Sequence, residues 1–230
     1  MIELRLLDRF EVRREGEVVA LPQGARSLVA FLALHERPLQ RAYVSGSLWP
    51  ESTEEHASAS LRSTLWRLGR QSCPLIESNG SLVRLSLDVA VDLHETRERA
   101  RAVLRGERVV PLHLDRLCRA GELLPGWYDD WVLIERERFR QLRLHALDTL
   151  CEALVAEGRY AAAVEAGHAA VAAEPLRESA HCLLIKAYLA EGNRTEATRR
   201  YRVFQDLLRA ELGLAPSPAL AELVAPLPVW

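Results

Sequence analysis

Lysine is nearly missing from this 230-residue sequence. Of its 30 basic side chains only Lys186 is a lysine, and all the others are arginines. A phosphate-binding loop of the Walker type needs a Gly-Lys-Ser/Thr sequence, and none occurs here. The four cysteines (Cys73, Cys118, Cys151 and Cys182) form no Cys-x-x-Cys pair and have no histidine at metal-ligand spacing. We therefore predict reduced, mostly buried thiols, no metal and no cofactor.

The sequence also lacks an apolar run of transmembrane length, and its N-terminus, MIELRLLDRF, lacks the basic-then-apolar pattern of a signal peptide. We expect a cytoplasmic protein with no membrane partner. The chain is 49% hydrophobic and 27% charged, which is ordinary globular composition with enough apolar material for one or two cores.

An excess of positive charge is absent as well, since the formal net charge is −2. Residues 1–91 carry 11 arginines against 11 acids, and residues 92–230 carry 19 basic against 21 acidic side chains. Within the first half, however, the stretch from His56 to Ile76 holds three arginines and no acid. This local basic stripe indicates where a nucleic acid would bind.

Hydrophobic periodicity predicts the elements of the first half. Apolar residues alternate between residues 2 and 21, which favours short antiparallel strands with a tight turn at Glu15-Gly16. Apolar residues then recur at helical spacing in three segments, residues 25–35, 41–49 and 56–72, the last preceded by an acidic loop at 51–55.

The Asn79-Gly80 dipeptide lies between two short apolar runs and predicts a hairpin with a type I′ turn. Strands, three helices and a terminal hairpin form the order of a winged helix-turn-helix. We therefore predict an α+β winged helix-turn-helix over residues 1–91.

From residue 92 onward the pattern is helical. ALVAEGRYAAAV (153–164) aligns with AYLAEGNRTEAT (187–198) at a separation of 34 residues, which is the tetratricopeptide period. A further helical pair is expected between residues 92 and 124, because three pairs suffice to bury a continuous core. We predict an all-α tetratricopeptide-like domain over residues 92–230.

The third predicted helix, residues 56–72, is amphipathic. At about 100° per residue, one narrow apolar stripe forms from Ala57, Leu61, Leu65 and Leu68. The opposite side presents His56, Ala59, Ser63, Trp66 and Arg70, with Arg62 and Arg67 on the flanks. Guanidinium, hydroxyl and indole groups without an acid suit a major groove, although a solvated surface helix would show the same pattern. The third position in the order and the hairpin carrying Arg84 favour a recognition helix followed by a minor-groove wing.

Several segments resemble the Streptomyces antibiotic regulatory protein family. They are residues 3–12, ARSLVAFLALHERPLQRAYVSGSLWPE, LRSTLWRLGRQ, VDL (91–93), LLPGWYDDWVLIERERFRQLRLHALDTL (123–150) and ELGLAPSPAL (211–220). The resemblance covers nearly the whole chain and is most specific in the last two segments. It implies an OmpR-like winged helix joined to a tetratricopeptide-type bacterial transcriptional activation domain.

The resemblance also assigns roles by position. Leu65, Arg67 and Leu68 match the apolar–basic–apolar core of the family's recognition helix, which implies that Arg67 and Arg70 contact phosphate or guanine. Trp66 stands where relatives commonly have a polar or basic residue, and its role stays open between base stacking and packing against another protomer.

Arg41 stands where the family places a phosphate-contacting residue, although Gln40 replaces the usual Ser/Thr cap. At the wing, Gly80-Ser81 replaces the family's Gly-Tyr, which weakens the case for minor-groove contact. The predicted DNA-binding residues are Arg41, Arg62, Ser63, Trp66, Arg67, Arg70 and Arg84.

The segment WYDDW contains two adjacent carboxylates, Asp129 and Asp130. We interpret them as the N-terminal cap and first turn of a long helix, not as catalytic groups. The arginines that follow alternate with glutamates, which predicts a salt-bridged solvated face or a domain or subunit contact. No residue pattern requires enzymatic activity.

The sequence thus predicts a DNA-binding transcriptional activator of a specialised-metabolite (antibiotic) gene cluster. Its partners would be double-stranded promoter DNA with repeated half-sites, RNA polymerase, and a second copy of the chain. The alternatives are a protein-interaction scaffold whose winged helix no longer binds DNA, and a small-molecule sensor that uses the repeat groove.

Overall fold

The computed structural model describes residues 1–70, 73–108 and 111–225, with the side chain of Leu112 left aside. The chain folds as two compact units. The first comprises Met1–Glu95 and Gly121–Arg138, and the second comprises Thr96–Ala120 and the chain from Phe139 onward. The units therefore differ from the boundary predicted at residues 91/92, because residues 121–138 return to the first unit.

The first unit begins with a four-stranded sheet in the order β3-β2-β1-β7. Its strands are β1 (Ile2–Arg5), β2 (Glu11–Arg14), β3 (Glu17–Val18) and β7 (Val89–Val91). The expected antiparallel strands and the turn at Glu15-Gly16 are present, and both turn residues have positive φ (52° and 88°). Strand β7 lies parallel to β1, which alternation could not predict.

Three helices and a second, three-stranded sheet lie between β3 and β7. The helices are α1 (Gln23–His35), α2 (Arg41–Leu48) and α3 (Glu54–Gly69), and the sheet has the order β4-β6-β5. Its strands are β4 (Leu39–Gln40), β5 (Ile76–Asn79) and β6 (Leu82–Leu85). Helix α1 fills the core, since Leu28, Phe31 and Leu32 are almost fully buried. The predicted helical segments thus exist, with ends that shift by at most three residues; residues 71 and 72 lie outside the described residues.

Backbone hydrogen bonds bind the segment Gly121–Arg138 to the first unit. Asp8 N donates to Glu122 O (2.8 Å), and Leu124 N donates to Leu6 O (2.8 Å). These two bonds pair the residues that follow β1 with the segment 122–124. They explain why this segment does not belong to the second unit.

Two tryptophans of WYDDW pack in the first unit. Trp127 stacks on Phe10 with ring centroids 5.7 Å apart, and Trp131 meets the edge of Phe31 at 5.2 Å. The backbone carbonyl of Asp129 accepts from Val132 N (2.8 Å) and Leu133 N (3.1 Å), which is the geometry of a helix N-terminus. This segment is therefore a packing element that leads into a helix.

The remaining helices are α4 (Asp92–Leu104), α5 (Pro111–Arg119), α6 (Asp130–Ala156), α7 (Tyr160–Ala173), α8 (Glu178–Glu191), α9 (Arg194–Leu212) and α10 (Pro218–Val224). The 34-residue spacing reappears in the turns that end α6 and α8. Gly158 N–H bonds the carbonyl three residues back (3.0 Å), and Arg159 N–H bonds the carbonyl five residues back (2.9 Å). Gly192 and Asn193 repeat both bonds at 3.1 and 2.8 Å, and both glycines have positive φ. This is the glycine-terminated helix end that such a turn requires.

Small residues allow the helices of the second unit to cross closely. Ala163 and Ala197, equivalent in the repeat, are fully buried. A Cβ built on Gly167 would lie 3.1 Å from the backbone of Leu184, so α7 and α8 approach nearer than an alanine permits without movement. Among the residues that the structure describes, no helix is long and apolar enough to span a bilayer.

The cysteines match the prediction in part. All four are free thiols; Cys73 and Cys151 are buried, whereas Cys118 and Cys182 are half-buried. Burial raises the pKa of Cys118 and of Cys151 to about 12, which makes both inert as nucleophiles.

Candidate nucleic-acid interface

Helix α3 is anchored by one apolar stripe. Ala57, Leu61 and Leu68 are at most 5% exposed, as their spacing predicts, while Leu65 is only half-buried. Thr53 caps the helix by accepting a hydrogen bond from His56 N (3.4 Å). The stripe fixes which side of α3 faces away from the core.

The predicted contact residues of α3 occupy its exposed side. Arg62, Ser63, Trp66 and Arg67 are exposed, and so is Arg70, the residue that ends the helix. In the described part of the chain, Arg62, Arg67 and Arg70 form no ion pair. Their charges are therefore available to an anionic partner.

Trp66 and Arg70 contact each other on this surface. The guanidinium carbon of Arg70 lies 4.8 Å from the centroid of the Trp66 ring, and the tryptophan remains 62% exposed. This is the distance of a cation–π contact between neighbouring turns of a helix.

The helix begins two residues earlier than the sequence predicted. Glu54 and Glu55, expected in a loop, form its first turn and are exposed. Carboxylates there are favoured by the helix dipole. Eight residues at about 1.5 Å each separate Glu54 from Arg62, so the acidic end lies about 12 Å from the first arginine. Negative charge therefore lies at the N-terminal end of α3, and positive charge lies in its middle and at its C-terminal end.

Arg41 opens α2, as predicted, and is held against the β5–β6 hairpin. Its backbone N–H donates to Ser81 O (2.8 Å), and its guanidinium Nη2 donates to Ser78 Oγ (2.5 Å). Gln40 makes no side-chain cap, and Arg41 Nε is buried without a hydrogen-bond acceptor among the described residues. Arg41 therefore joins the start of α2 to the hairpin.

The hairpin turn differs from the one expected. Asn79 pairs with Leu82, so the two central residues are Gly80 and Ser81 instead of Asn79 and Gly80. Only Gly80 of these two has a positive φ (56°), which is the type II′ pattern. The predicted type I′ turn was wrong by one residue, because glycine at the first central position favours type II′.

Arg84 lies on β6 directly opposite Glu77 on β5. Its Nε and Nη2 donate to Glu77 Oε2 at 2.8 and 2.5 Å. The Arg84 hydrogen bond, helped by Ser86 Oγ and Leu87 N, lowers the pKa of Glu77. The cation predicted for the wing is therefore paired within the hairpin, unlike the arginines of α3.

Sequence reasoning missed the half-buried carboxylate of Asp92, which follows β7. It accepts from Leu6 N (2.9 Å), Leu7 N (3.2 Å) and Leu93 N (2.7 Å). Burial raises the pKa of Asp92 although these three bonds oppose the change. In the sequence, only the resemblance of the VDL segment (91–93) to the antibiotic regulatory protein family points to this carboxylate. No cluster of three possible metal ligands occurs among the described residues.

Comparison with known proteins places this arrangement in a family. A family model described as the bacterial transcriptional activator domain matches residues 115–227. The regulatory proteins AfsR of Streptomyces coelicolor and Streptomyces griseus are each 33% identical to the chain, over 222 and 216 residues that cover 91% and 88% of it. The chain belongs to the Streptomyces antibiotic regulatory protein family. This family member spans about a fifth of each relative, since the alignments cover 22% of either AfsR.

A solved structure shows the same fold. Mycobacterium tuberculosis EmbR, determined in complex with a low-affinity phosphopeptide, superposes with a TM-score of 0.65 at 23% identity. The match covers 97% of this chain and 64% of EmbR. A small-sheet region followed by a mostly helical region is therefore shared with another protein.

Proposed function

We propose that this chain is a sequence-specific DNA-binding transcriptional activator whose first unit acts as a winged helix-turn-helix. The observation that carries the proposal is the exposed side of α3, which presents Arg62, Arg67 and Arg70 without ion pairs on a chain of net charge −2. A local cationic surface of this kind neutralises phosphates, and its donors read base edges.

The dimensions of α3 support docking in the major groove. Arg62 and Arg70 are eight residues apart, about 12 Å along the helix axis, and the major groove is about 12 Å wide. The acidic first turn lies beyond Arg62, where its carboxylates avoid the phosphates that the arginines contact. We therefore place the middle and the C-terminal end of α3, with Ser63 and Trp66, against the bases.

Arg41 would add a phosphate contact beside α3. The N-terminus of α2 has no side-chain cap, and a phosphate oxygen would satisfy backbone N–H groups of its first turn, since helix N-termini favour anions. Arg84 would contribute less, because Glu77 already pairs with it.

For the helical unit we propose dimerisation and recruitment of RNA polymerase. Support comes from the matched bacterial transcriptional activator domain and from the repeated turns 34 residues apart, which are typical of tetratricopeptide-like interaction surfaces. A dimer would bind repeated half-sites in promoter DNA, within the cytoplasm. By analogy with the family, the target would be a specialised-metabolite (antibiotic) gene cluster.

The test is equilibrium binding of the full chain to its own upstream region and to a random duplex of equal length, at several salt concentrations. We expect a preference for the upstream region. We also expect that replacing Arg62, Arg67 and Arg70 together by alanine reduces the salt slope by about two to three, because each lost phosphate contact removes about 0.9.

A matched control removes the same charge elsewhere. Arg119, Arg138 and Arg199 are also exposed helical arginines, each paired with an acid three or four residues away. Their triple alanine variant should leave the slope unchanged. Absence of any preference by the wild-type chain would refute the proposal and favour a scaffold that does not bind DNA. Sedimentation velocity and transcription with purified polymerase test the two roles of the helical unit.

A further inference from the structure

Trp66 is an unusual residue for an exposed helix surface. Its indole is 62% exposed, yet it lies one turn from Arg62 and from Arg70 on the side of α3 that carries the unpaired arginines. Exposing this much apolar surface costs free energy unless a partner covers it. One partner is intramolecular: the Arg70 guanidinium, 4.8 Å from the ring centroid.

The cation–π contact with Trp66 changes what Arg70 can do. A guanidinium is planar, and its N–H donors lie at the edge of that plane, so contact with a ring face leaves the donors free to bind a third group. The contact also restricts the rotamers of Arg70 before any ligand arrives, which lowers the entropy cost of binding.

Arg62 and Arg67 lack this restraint. Within the part of the chain that the structure describes, neither contacts an aromatic ring or a carboxylate. Flexible cations suit phosphates, whose position tolerates variation, whereas a bidentate contact to a base requires fixed geometry. The three arginines of α3 are therefore not equivalent.

Resting on the proposed DNA-binding function, we infer that Trp66 is a positioning residue that holds Arg70 for one guanine of the operator and so sets the base preference there. Arginine donates in bidentate fashion to guanine O6 and N7 in the major groove, the commonest specific contact. Trp66 would act through Arg70 and through the exclusion of water from the side of the guanidinium that contacts the ring.

The experiment uses the full chain and a duplex selected by the wild-type protein from a random-sequence library. Arg70→Lys, which keeps the charge and loses the planar fork, first identifies the guanine at which discrimination disappears. Binding of Trp66→Gln and Trp66→Tyr is then measured on this duplex and on the duplex with that G·C pair replaced by A·T.

Wild type should prefer G·C by about tenfold or more. We expect the preference of Trp66→Gln to fall below about threefold, with affinity for random duplex changed less than about twofold, because phosphate contacts supply non-specific binding. Trp66→Tyr should restore the preference, since it supplies an aromatic face. Circular dichroism and thermal melting check that each variant folds, which the exposure of residue 66 leads us to expect.

Two results would overturn the inference while leaving the proposed function intact. In the first, Trp66→Gln retains the full preference for G·C, or loses affinity equally on every duplex. In the second, Arg70→Lys alters the preference at no guanine. A wild-type chain that selects no sequence would instead refute DNA recognition itself. Arg199→Lys, at an exposed helical arginine paired with Glu196, serves as the control and should weaken discrimination at no base pair.

Discussion

Two helices of this chain are rich in arginine and use it in opposite ways. On α3, Arg62, Arg67 and Arg70 face outward and form no ion pair within the described residues. On α6, Arg136 donates to the backbone carbonyls of Leu123 (2.8 Å), Leu124 (2.5 Å) and Trp127 (2.9 Å). The arginines of α3 are available to bind a partner, whereas Arg136 stabilises the fold of the chain itself.

The arginines further along α6 extend the contrast. Arg143 Nε and Nη2 donate to Leu117 O (2.9 Å) and Cys118 O (3.2 Å), the last carbonyls of α5, and Arg140 pairs with Glu174. Orphan carbonyls at a helix end favour such cations. Arginine content alone therefore does not distinguish a surface available to an anionic partner from a structural contact; the presence or absence of protein acceptors does.

The largest expected effect comes from Arg136→Ala. Removing this side chain leaves the carbonyls of Leu123, which is fully buried, and Trp127 without a donor in the described chain, while Leu124 O keeps only Trp127 N (3.2 Å). We expect the free energy of unfolding to fall by about 4 kcal/mol, because each orphaned buried acceptor costs about 1–3 kcal/mol. Urea unfolding followed by tryptophan fluorescence measures it, since Trp127 and Trp131 lie in the same unit.

Arg138→Ala is the matched control, two residues along the same helix. Its side chain is 70% exposed and pairs only with Glu135 among the described residues. Its loss should cost less than about 1 kcal/mol. Equal losses for the two variants would contradict the distinction between structural and exposed arginines.

The next largest expected effect is a loss of stability of the second unit at acid pH. Arginines do not cause it, because their guanidinium groups stay charged. His181 is buried, stacks on Phe204 (3.9 Å between centroids) and shares a hydrogen bond with Pro175 O (2.9 Å). Burial, with a smaller contribution from Arg200, lowers the pKa of His181 to about 4. The unfolded chain, with a pKa near 6.5, binds the proton more readily between these values. Stability is therefore lost as pH falls from about 6.5 to 4, by on the order of 3 kcal/mol.

Two glutamine variants separate the contribution of His181 from the general effects of acid on stability. His181→Gln should flatten the dependence of the unfolding free energy on pH in that interval. His145→Gln, which changes an exposed histidine in the same unit, should leave the dependence as in wild type. Parallel curves for the wild type and His181→Gln would contradict the assignment.

Arg67→Ala tests the other side of the comparison. We expect affinity for the preferred duplex to fall about tenfold. Loss of a base or phosphate contact typically costs about 1–3 kcal/mol of binding free energy. The free energy of unfolding should change by less than about 0.5 kcal/mol, because the side chain is exposed and unpaired in the described chain. Filter binding and urea unfolding on the same preparation compare the two quantities. A stability loss as large as that of Arg136→Ala would erase the difference between the helices.

Much of the α3 surface could be predicted from sequence. The spacing of Ala57, Leu61 and Leu68 fixes the buried stripe, and that stripe in turn fixes the exposure of Arg62 and Arg67. Periodicity succeeds here because it encodes which side of a helix avoids water. The cation–π contact between Arg70 and Trp66 follows from their four-residue spacing once the helix is known.

The acceptors of Arg136 could not be predicted. They belong to a loop held beside β1 by backbone bonds such as Asp8 N to Glu122 O, across more than a hundred residues. Backbone groups are the same in every residue, so the sequence carries no signal of which carbonyl meets which donor. The glutamates that alternate with these arginines favoured a solvated face, which holds for Arg138 and not for Arg136 or Arg143.

The hairpin register was predicted wrongly for a related reason. A turn centred on Asn79-Gly80 would set Leu75 opposite Arg84, whereas the observed turn sets Glu77 there. One residue of register decides which side chains face each other across strands. The pairing of the wing arginine with an acid therefore emerged only from the structure.

The smallest expected effect tests that pairing. Glu77→Gln removes the negative charge opposite Arg84 and keeps an amide of the same shape, so the arginine becomes available to DNA. If the hairpin lies near a phosphate, affinity should rise a few-fold, and the salt slope should become steeper by about 0.9, the value of one added phosphate contact. The double variant Glu77→Gln/Arg84→Ala should cancel the gain. Should Glu77→Gln leave both quantities unchanged, the hairpin lies outside the DNA contact, and the interface consists of α3 and the start of α2.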